Sequence, residues 1–484
     1  MSSSISELGV GHYRTHEISP MVREIPTAAR HDMRVPARVY ADDALWQQII
    51  GDRSLDQLVN VTTLPGVTGC VYGMPDMHEG YGFPVGGVAA MRVSDGVVSP
   101  GGVGYDINCG VRLLAADLDA ELVGGRLEPL VHELSRAIPS GTGRGGLIHL
   151  TDDELDRVLA EGSRFLIERG LALPDDIAAT EAEGGMPLAD PAAVSSRAKQ
   201  RGRDQLGTIG SGNHFVEVQM VDRVFDPATA EAYGLRHGQL TVLIHTGSRG
   251  LGHQVCTDYV RRMDAVMARH GIHLPDRELA CAPITSDEGR AYIGAMCAAA
   301  NFAWANRQAI TSLVRGAFLR ILGESAHLRL VYDVAHNMAK FEEHGGEHLC
   351  VHRKGATRAF GPSHPETPES YRAAGQPVFI PGSMGTASYV LAGTDEALAL
   401  SYGSTCHGAG RAMSRGAARR TSPGHVVREE LESRGIIVRC PSNAELAEEA
   451  PFAYKDIERV VGVVHDAGLA RRVARLRPLG VVKG

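Results

Sequence analysis

The chain has 484 residues, room for two to four modules or one large catalytic unit, with 43% hydrophobic and 22% charged residues in ordinary globular proportion. No window approaches the roughly 18 unbroken apolar residues of a membrane helix, and a formal charge of −8 excludes a globally cationic, histone-like binder of nucleic acid. Eight scattered Cys, behind a start (MSSSISELGVGHY) with neither a basic nor an apolar leader, read as a reducing interior and a cytoplasmic protein, while 57 Gly and 21 His place the chemistry in turns and imidazoles.

Apolar runs alternate with helical stretches throughout, a mixed α/β pattern. The first strand signals are VTGCVYGM at 67–74 and GVRLLAADL at 110–118. Within GGVGYDINCGVR at 101–112, Asp106 and Cys109 would face opposite ways on a straight strand, and only a turn, which Gly104 and Gly110 permit, points them together. A carboxylate and a thiol presented together suit a divalent transition ion, and a thiolate can bridge two. The segment alone reads equally as a buried structural Cys beside a capping Asp. Residues 151–192, with eleven Asp and Glu, read as a solvated acidic surface insertion in an otherwise single domain spanning 1–484; a helix is predicted over 155–171.

Arg197, Lys199, Arg201 and Arg203 form a basic cluster ahead of LGTIGSGNHFVEV at 206–218, where Gly-rich backbone runs into Asn213, His214 and a period-2 strand holding Glu217. The strand LTVLIHTG at 240–247 ends in His245, followed by Gly247, Arg249 and Gly250. Helices are predicted at 253–271 and, Ala-rich and long enough to underlie a whole layer, at 288–322. LRLVYDVAH at 328–336 ends in His336, and PVFIPGSMG at 377–385 is the last strand signal. A single strand-end His is more often structural than a ligand. Three of them with Asp106 and Cys109 make five donors, more than one zinc takes and enough for two metals sharing a thiolate. Strand ends beside Gly converge on one cleft, so the expected fold is a single large mixed α/β catalytic domain with these donors at a central cleft.

In SYGSTCHGAGRAMSRGAARR at 401–420, His407 is followed by Gly408, Ala409, Gly410 and Arg411, placing backbone N–H groups and a guanidinium beside an imidazole as a phosphate cradle. Such a His can orient a phosphate or attack it to form a phosphoramidate; a Gly-rich helix start with a capping His looks the same. Arg415, Arg419 and Arg420, together with Arg353, Lys354 and Arg358 in HRKGATRAF, add the local positive charge that phosphodiester binding needs.

These segments, with PDMHEGYGFPVGG at 75–87, PGSMGTASYV and the terminal PLGVVKG at 478–484, resemble the RNA-splicing ligase RtcB family along nearly the whole chain. The resemblance implies an enzyme that uses GTP and two Mn²⁺ to join RNA 2′,3′-cyclic phosphate or 3′-phosphate ends to 5′-hydroxyl ends, through a histidine–GMP intermediate and an RNA(3′)pp(5′)G end. It further implies His407 as the guanylylated nucleophile, Asp106, Cys109 and His214 around one Mn²⁺, and Cys109, His245 and His336 around the other. By the same resemblance Asn213 contacts the GTP phosphates, Glu217 and Lys483 read the guanine edge, Phe215 and Tyr454 pack on the base, and Ser383 and residues Gly408 to Arg411 line the nucleotide pocket. Asp76 falls near the reacting centre, and an archease-type helper belongs to the same picture. Two rival readings are a dinuclear phosphoesterase using the same donors to activate water, and a non-catalytic RNA-end binding protein, for which a broken His407 or Cys109 is expected; both residues are present.

Overall fold

A computed structural model describes residues 13–141 and 143–484. The N-terminal stretch behind the leader reading falls, but for Tyr13, outside the described residues. Two large sheets and a layer of helices form a mixed α/β fold. The first sheet runs in the order His16–Ser19, Val22–Ile25, Ala37–Tyr40, Val67–His78, Val85–Arg92, Glu347–Lys354 and Asn337–His344. The second runs Leu328–Ala335, Gly110–Asp119, Gln239–Thr246, Phe215–Val224, Ala470–Lys483, Ser388–Gly393 and Pro377–Ile380, with Ile437–Arg439 pairing in parallel to Ala470–Lys483.

The second sheet is covered on both faces, and its sequence shows why. Along Gly110–Asp119 the side chains of Val111, Leu113 and Ala115 enter one core, and those of Leu114 and Ala116 enter another on the opposite face. The helix Asp287–Leu322 is buried on all sides from Tyr292 to Thr311, and its Ala-rich surface lets it lie against the helices Leu127–Ala137, Asp152–Glu161 and Arg249–Val266. Ser286 caps its start by accepting from the Gly289 N–H at 3.0 Å.

The register places the ligand candidates at one end of the second sheet. Gly110 pairs with both Thr246 and Ala335, His245 pairs with Val111 and Phe215, and Lys483 pairs with Phe215. Cys109, His214, His245, His336 and Lys483 therefore share an edge. At His336 the chain leaves the second sheet and enters the first, where Asn337–His344 begins.

Several expectations need correction. The helix over 155–171 is broken at Gly162, whose φ of +63° ends the helix Asp152–Glu161. The strand expected to run to 385 stops at Ile380, before Pro381, because a proline donates no ladder hydrogen bond. The acidic segment 151–192 is not solvated throughout. Asp176 and Glu181 are buried, Asp176 bound by Arg315 at 2.6 and 2.7 Å, and Glu181 by Lys340 at 2.7 Å and by the backbone N–H of Ala335 at 2.8 Å.

Beneath the shared edge lies a buried ionic cluster. Arg112 and Arg307 donate to Asp333 at 2.7 Å each, and Arg307 adds a second bond at 2.8 Å; all three side chains are wholly buried. The Arg307 guanidinium also donates to the carbonyls of Asn108 at 2.8 Å and Thr246 at 2.9 Å, and to the Asn108 side chain at 2.9 Å. Removing one partner of such a cluster leaves an uncompensated buried charge, at a cost of roughly 3–5 kcal/mol. Arg307→Met is expected to lower the urea unfolding midpoint sharply, whereas Arg290→Met on the exposed first turn of the same helix should leave it in place. Equal midpoints for the two variants would show that the cluster holds nothing.

Candidate functional site

Five donor atoms meet at the sheet edge. Cys109 Sγ lies 3.4 Å from His214 Nε2 and 3.3 Å from His245 Nε2, which is 3.4 Å from His336 Nε2; His214 Nε2 lies 2.9 Å from Asp106 Oδ2. They form two sets, Cys109, His245 and His336, and Asp106, Cys109 and His214, each with its atoms within 4.8 Å of one another. The turn that Asp106 and Cys109 required is present: Asn108 sits at φ +51°, and the Cys109 N–H bonds the Asp106 carbonyl at 2.9 Å. His214 donates through Nδ1 to the Ile209 carbonyl at 3.2 Å, which turns its Nε2 lone pair toward Asp106 and Cys109. Burial, with other imidazoles close by, holds His245 and His336 well below the usual imidazole range, so both are neutral donors. Burial and the Asp106 charge push the Cys109 thiol up. Asp106 Oδ2 is buried without a hydrogen-bond donor. An orphaned carboxylate oxygen beside neutral imidazoles and a thiol fits a pair of cations, and the mix of O, N and S suits divalent transition ions.

His407 stands next to this centre, its ring centroid 4.9 Å from that of His336. It ends the short strand Ser404–Cys406, which pairs with Ala356–Arg358, and the Ala356 N–H bonds the His336 carbonyl at 3.1 Å. Asp76, buried in the strand Val67–His78, brings Oδ2 to 2.6 Å from His407 Nδ1 and accepts the backbone N–H groups of His407 at 3.0 Å and Gly408 at 3.3 Å. Burial raises the Asp76 carboxyl, but the His407 ring and these donors hold it below the usual carboxylate range, so it is ionised. Gly410, at φ +72°, passes so close that a Cβ there would lie 2.2 Å from the Asp76 carbonyl oxygen.

A cavity of about 360 Å³ opens over His407 and the donor edge, lined also by Asn213, Phe215, Ser383, Gly408, Ala409, Gly410, Arg411, Tyr454 and Lys483. Lys483 is buried, donates to the His214 carbonyl at 3.2 Å and sits over the Phe215 ring. The expected guanidinium beside His407 is already engaged: Arg411 binds Glu449 at 3.3 Å and the Glu448 carbonyl at 2.8 Å, and stacks on Tyr454. Glu217 is not in the cavity wall. It is buried behind the wall, accepts from Gln219 at 2.6 Å, and burial pushes its carboxyl up to about 8.

A second groove, about 720 Å³, adjoins the first and shares Asp106, Asn213, Tyr105 and Arg415 with it. Arg201 and Arg249 line it, and at its mouth the Tyr105 ring lies between those of Tyr81 and His253, with centroids 5.4 and 4.8 Å away. The other basic clusters are mostly spent within the protein. Arg353 is buried against Glu342 at 2.6 Å, Arg358 against Glu181 at 3.2 Å, Lys199 pairs with Asp156 at 2.6 Å and Arg203 with Asp152. Lys354 lines the first cavity but donates to the carbonyls of Tyr81 and Phe83 at 2.7 and 2.9 Å.

Three wall residues carried no sequence signal as site residues. Glu449 gathers Arg411, Arg415, Tyr454 and Lys483 around one carboxylate. Asn337 accepts the Gly355 N–H at 2.8 Å and donates to the Asp106 carbonyl at 3.0 Å, and His78 sits among the PDMHEGYG residues beside His407.

Comparison with known proteins gives one answer. The family model described as tRNA-splicing ligase RtcB matches residues 57–484. The tRNA-splicing ligase RtcB of Archaeoglobus fulgidus is 54% identical over 95% of this chain and 97% of its own length, and that of Thermococcus kodakarensis is 53% identical over the same shares. The RNA-splicing ligase RtcB of Mycobacterium tuberculosis is 54% identical over 88% of this chain and 100% of its own length.

Because the two donor sets share Cys109, its loss should affect both ions. Titrated with Co²⁺, the unmodified chain is expected to bind two ions and to show a thiolate-to-metal absorption band. His214→Ala should keep the band with one tight ion, and Cys109→Ala should lose the band and weaken both sites at least tenfold. Two tight ions in Cys109→Ala would refute a shared thiolate.

Proposed function

The chain belongs to the tRNA-splicing ligase RtcB family, and we propose that it is an RNA ligase joining 2′,3′-cyclic phosphate or 3′-phosphate ends to 5′-hydroxyl ends with GTP and two Mn²⁺, by way of a guanylylated His407. The observation that carries this reading is the His407–Asp76 pair, 2.6 Å apart on the wall of a cavity that also holds two candidate metal sets. A phosphoesterase that activates water would use the same pair only as a general base or acid and would form no covalent nucleotide, so label retained through denaturation separates the two readings.

The roles follow from that pair. Asp76 at Nδ1 favours the tautomer whose proton is on that nitrogen, leaving the Nε2 lone pair free to attack the α-phosphorus of GTP while pyrophosphate departs. As the P–N bond forms the ring gains positive charge, and the Asp76 carboxylate stabilises it. The same charged ring is a good leaving group, so an RNA 3′-phosphate can take over the guanylyl group and give RNA(3′)pp(5′)G. A 5′-hydroxyl then attacks the RNA phosphorus and GMP leaves. Asp106, Cys109 and His214 would hold one Mn²⁺, and Cys109, His245 and His336 the other; such ions neutralise phosphate charge and polarise the P–O bonds that break.

Asn213, Ser383 and the backbone of Gly408 to Arg411 line the space for the triphosphate, and Phe215 and Tyr454 flank the space for guanine. Lys483 is placed to reach the base edge from the wall. Glu217, in the layer behind, can contribute to guanine recognition only by a shift of its side chain or through its neighbours. The second groove suits a single-stranded RNA end, with cationic side chains for phosphates and the Tyr105 ring for a base. An archease-type helper and a cytoplasmic setting complete this reading. No described helix is long and apolar enough to cross a membrane.

Two experiments test it. Incubated with [α-³²P]GTP and Mn²⁺, the chain should acquire label that survives denaturation and should join a cyclic-phosphate RNA to a 5′-hydroxyl RNA. His407→Ala should do neither while still binding Co²⁺; label on that variant overturns the nucleophile. Arg201→Ala should weaken single-stranded RNA binding roughly three- to tenfold and make the slope of log K against log salt shallower by about 0.7, the share of one phosphate contact. An unchanged slope would place the RNA elsewhere.

A further inference from the structure

His78 is a wall residue that the mechanism above leaves unused. It lines the cavity beside His407: the two rings stack at 25° with centroids 6.5 Å apart. Its Nδ1 lies 2.9 Å from the carbonyl oxygen of Asp76. A carbonyl only accepts, so Nδ1 carries a proton. Burial, with the nearby His407 and Lys455, pushes the ring down to about 4, against the Asp76 carbonyl bond that favours the charged form. The imidazole is then neutral, and with Nδ1 protonated its Nε2 is a bare lone pair. That nitrogen has no partner among the described residues.

The backbone that carries His78 is fixed. Lys455 donates to the carbonyls of Met77 at 2.5 Å and Pro75 at 3.4 Å, while Gln57 exchanges two hydrogen bonds with Gly80 at 2.6 and 3.0 Å. Lys354 ties down Tyr81 and Phe83. A neutral imidazole held by its own chain, lining the cavity beside the nucleophile and with one ring nitrogen unbonded, can accept a proton there.

Two of the proposed steps need such an acceptor and two do not. The attack of His407 on GTP and of an RNA 3′-phosphate on the guanylyl group use nucleophiles that carry no proton. Water opening a cyclic phosphate and a 5′-hydroxyl sealing the strand each carry one. Resting on the ligase reading above, we propose that His78 Nε2 takes the proton from these hydroxylic nucleophiles. In sealing, the O5′–P bond forms, the bond from that phosphorus to GMP oxygen breaks, GMP leaves with the electron pair, and the O5′ proton passes to Nε2 and then to solvent. In cyclic-end opening, the water oxygen bonds phosphorus, the P–O2′ bond breaks with its electron pair going to the 2′-oxygen, the water proton goes to Nε2, and Nε2 returns it to that oxygen to give the 2′-hydroxyl.

The test separates the four steps in the full chain with GTP and Mn²⁺. In His78→Gln, labelling from [α-³²P]GTP and capping of a 3′-phosphate RNA should stay within about threefold of the parent. Sealing of a preformed RNA(3′)pp(5′)G end and opening of a cyclic phosphate should fall roughly 100- to 1,000-fold, the range of a lost general base. His78→Gly should show the same split, with added imidazole restoring part of the sealing. Sealing and opening within threefold of the parent overturn the assignment, as does a loss shared equally by all four steps, which would make His78 a structural residue. A parent chain that neither takes up label nor joins RNA overturns the ligase reading itself, and this inference with it.

Discussion

One buried side chain decides whether the site exists. Arg307 reaches from the middle of the longest helix to the ends of three strands at once, holding the Asn108 carbonyl one residue before Cys109, the Thr246 carbonyl one residue after His245, and Asp333 three residues before His336. Each strand end on its own is a place where the ladder runs out and backbone carbonyls need donors. A guanidinium has five N–H groups in a fixed fork, enough to meet three such ends, and Arg112 shares the charge of Asp333 so that neither cation is left bare. The donor edge inherits its spacing from this clamp.

The same clamp explains the backbone at Asn108. A non-Gly residue at φ +51° is disfavoured, and here it is held by its neighbours: its N–H bonds the Asn337 carbonyl, its side-chain amide bonds the Ala300 carbonyl, and its side-chain oxygen accepts from Arg307. The strain turns Cys109 inward beneath Asp106. A second set of buried charges braces the other side, where Glu181 binds the Ala335 N–H, Lys340 and Arg358 together. Two ionic clusters thus brace the strand Leu328–Ala335 that leads into His336, one through Asp333 and one through the Ala335 N–H, and the acidic segment that reads as surface decoration supplies one of the bracing carboxylates.

Much of this was legible in the sequence, and the part that was not has a common cause. His214, His245 and His336 stood out only as a group with Asp106 and Cys109, because one strand-end His is more often structural while five donors together are too many for packing alone. The helix at 287–322 was legible from its Ala-rich run within a residue of its observed start. Arg353 and Arg358 misled, because an Arg in a list looks the same whether it faces solvent or is buried on Glu342 or Glu181. Glu449 and Arg307 escaped notice for the converse reason: their importance lies in partners from remote parts of the chain, and neither a period nor a spacing reports a contact between residues 108 and 307.

The cavity also shows how an acidic chain can keep its negative charge out of one site. The net charge of −8 does not face the reaction space. There Asp76 is paired with His407, Asp106 stands among the candidate metal donors, and Glu449 is ringed by Arg411, Arg415 and Tyr454, while burial pushes the carboxyl of Glu217 behind the wall up to about 8. What remains outward are neutral imidazoles, backbone amides and the cationic rim of the adjoining groove. At 3–4 Å an ion pair interacts far more strongly than a surface charge a Debye length away, which is screened by salt. Local pairing, not global charge, therefore sets the field a phosphate meets, and an average charge is a poor guide to whether a chain can hold RNA.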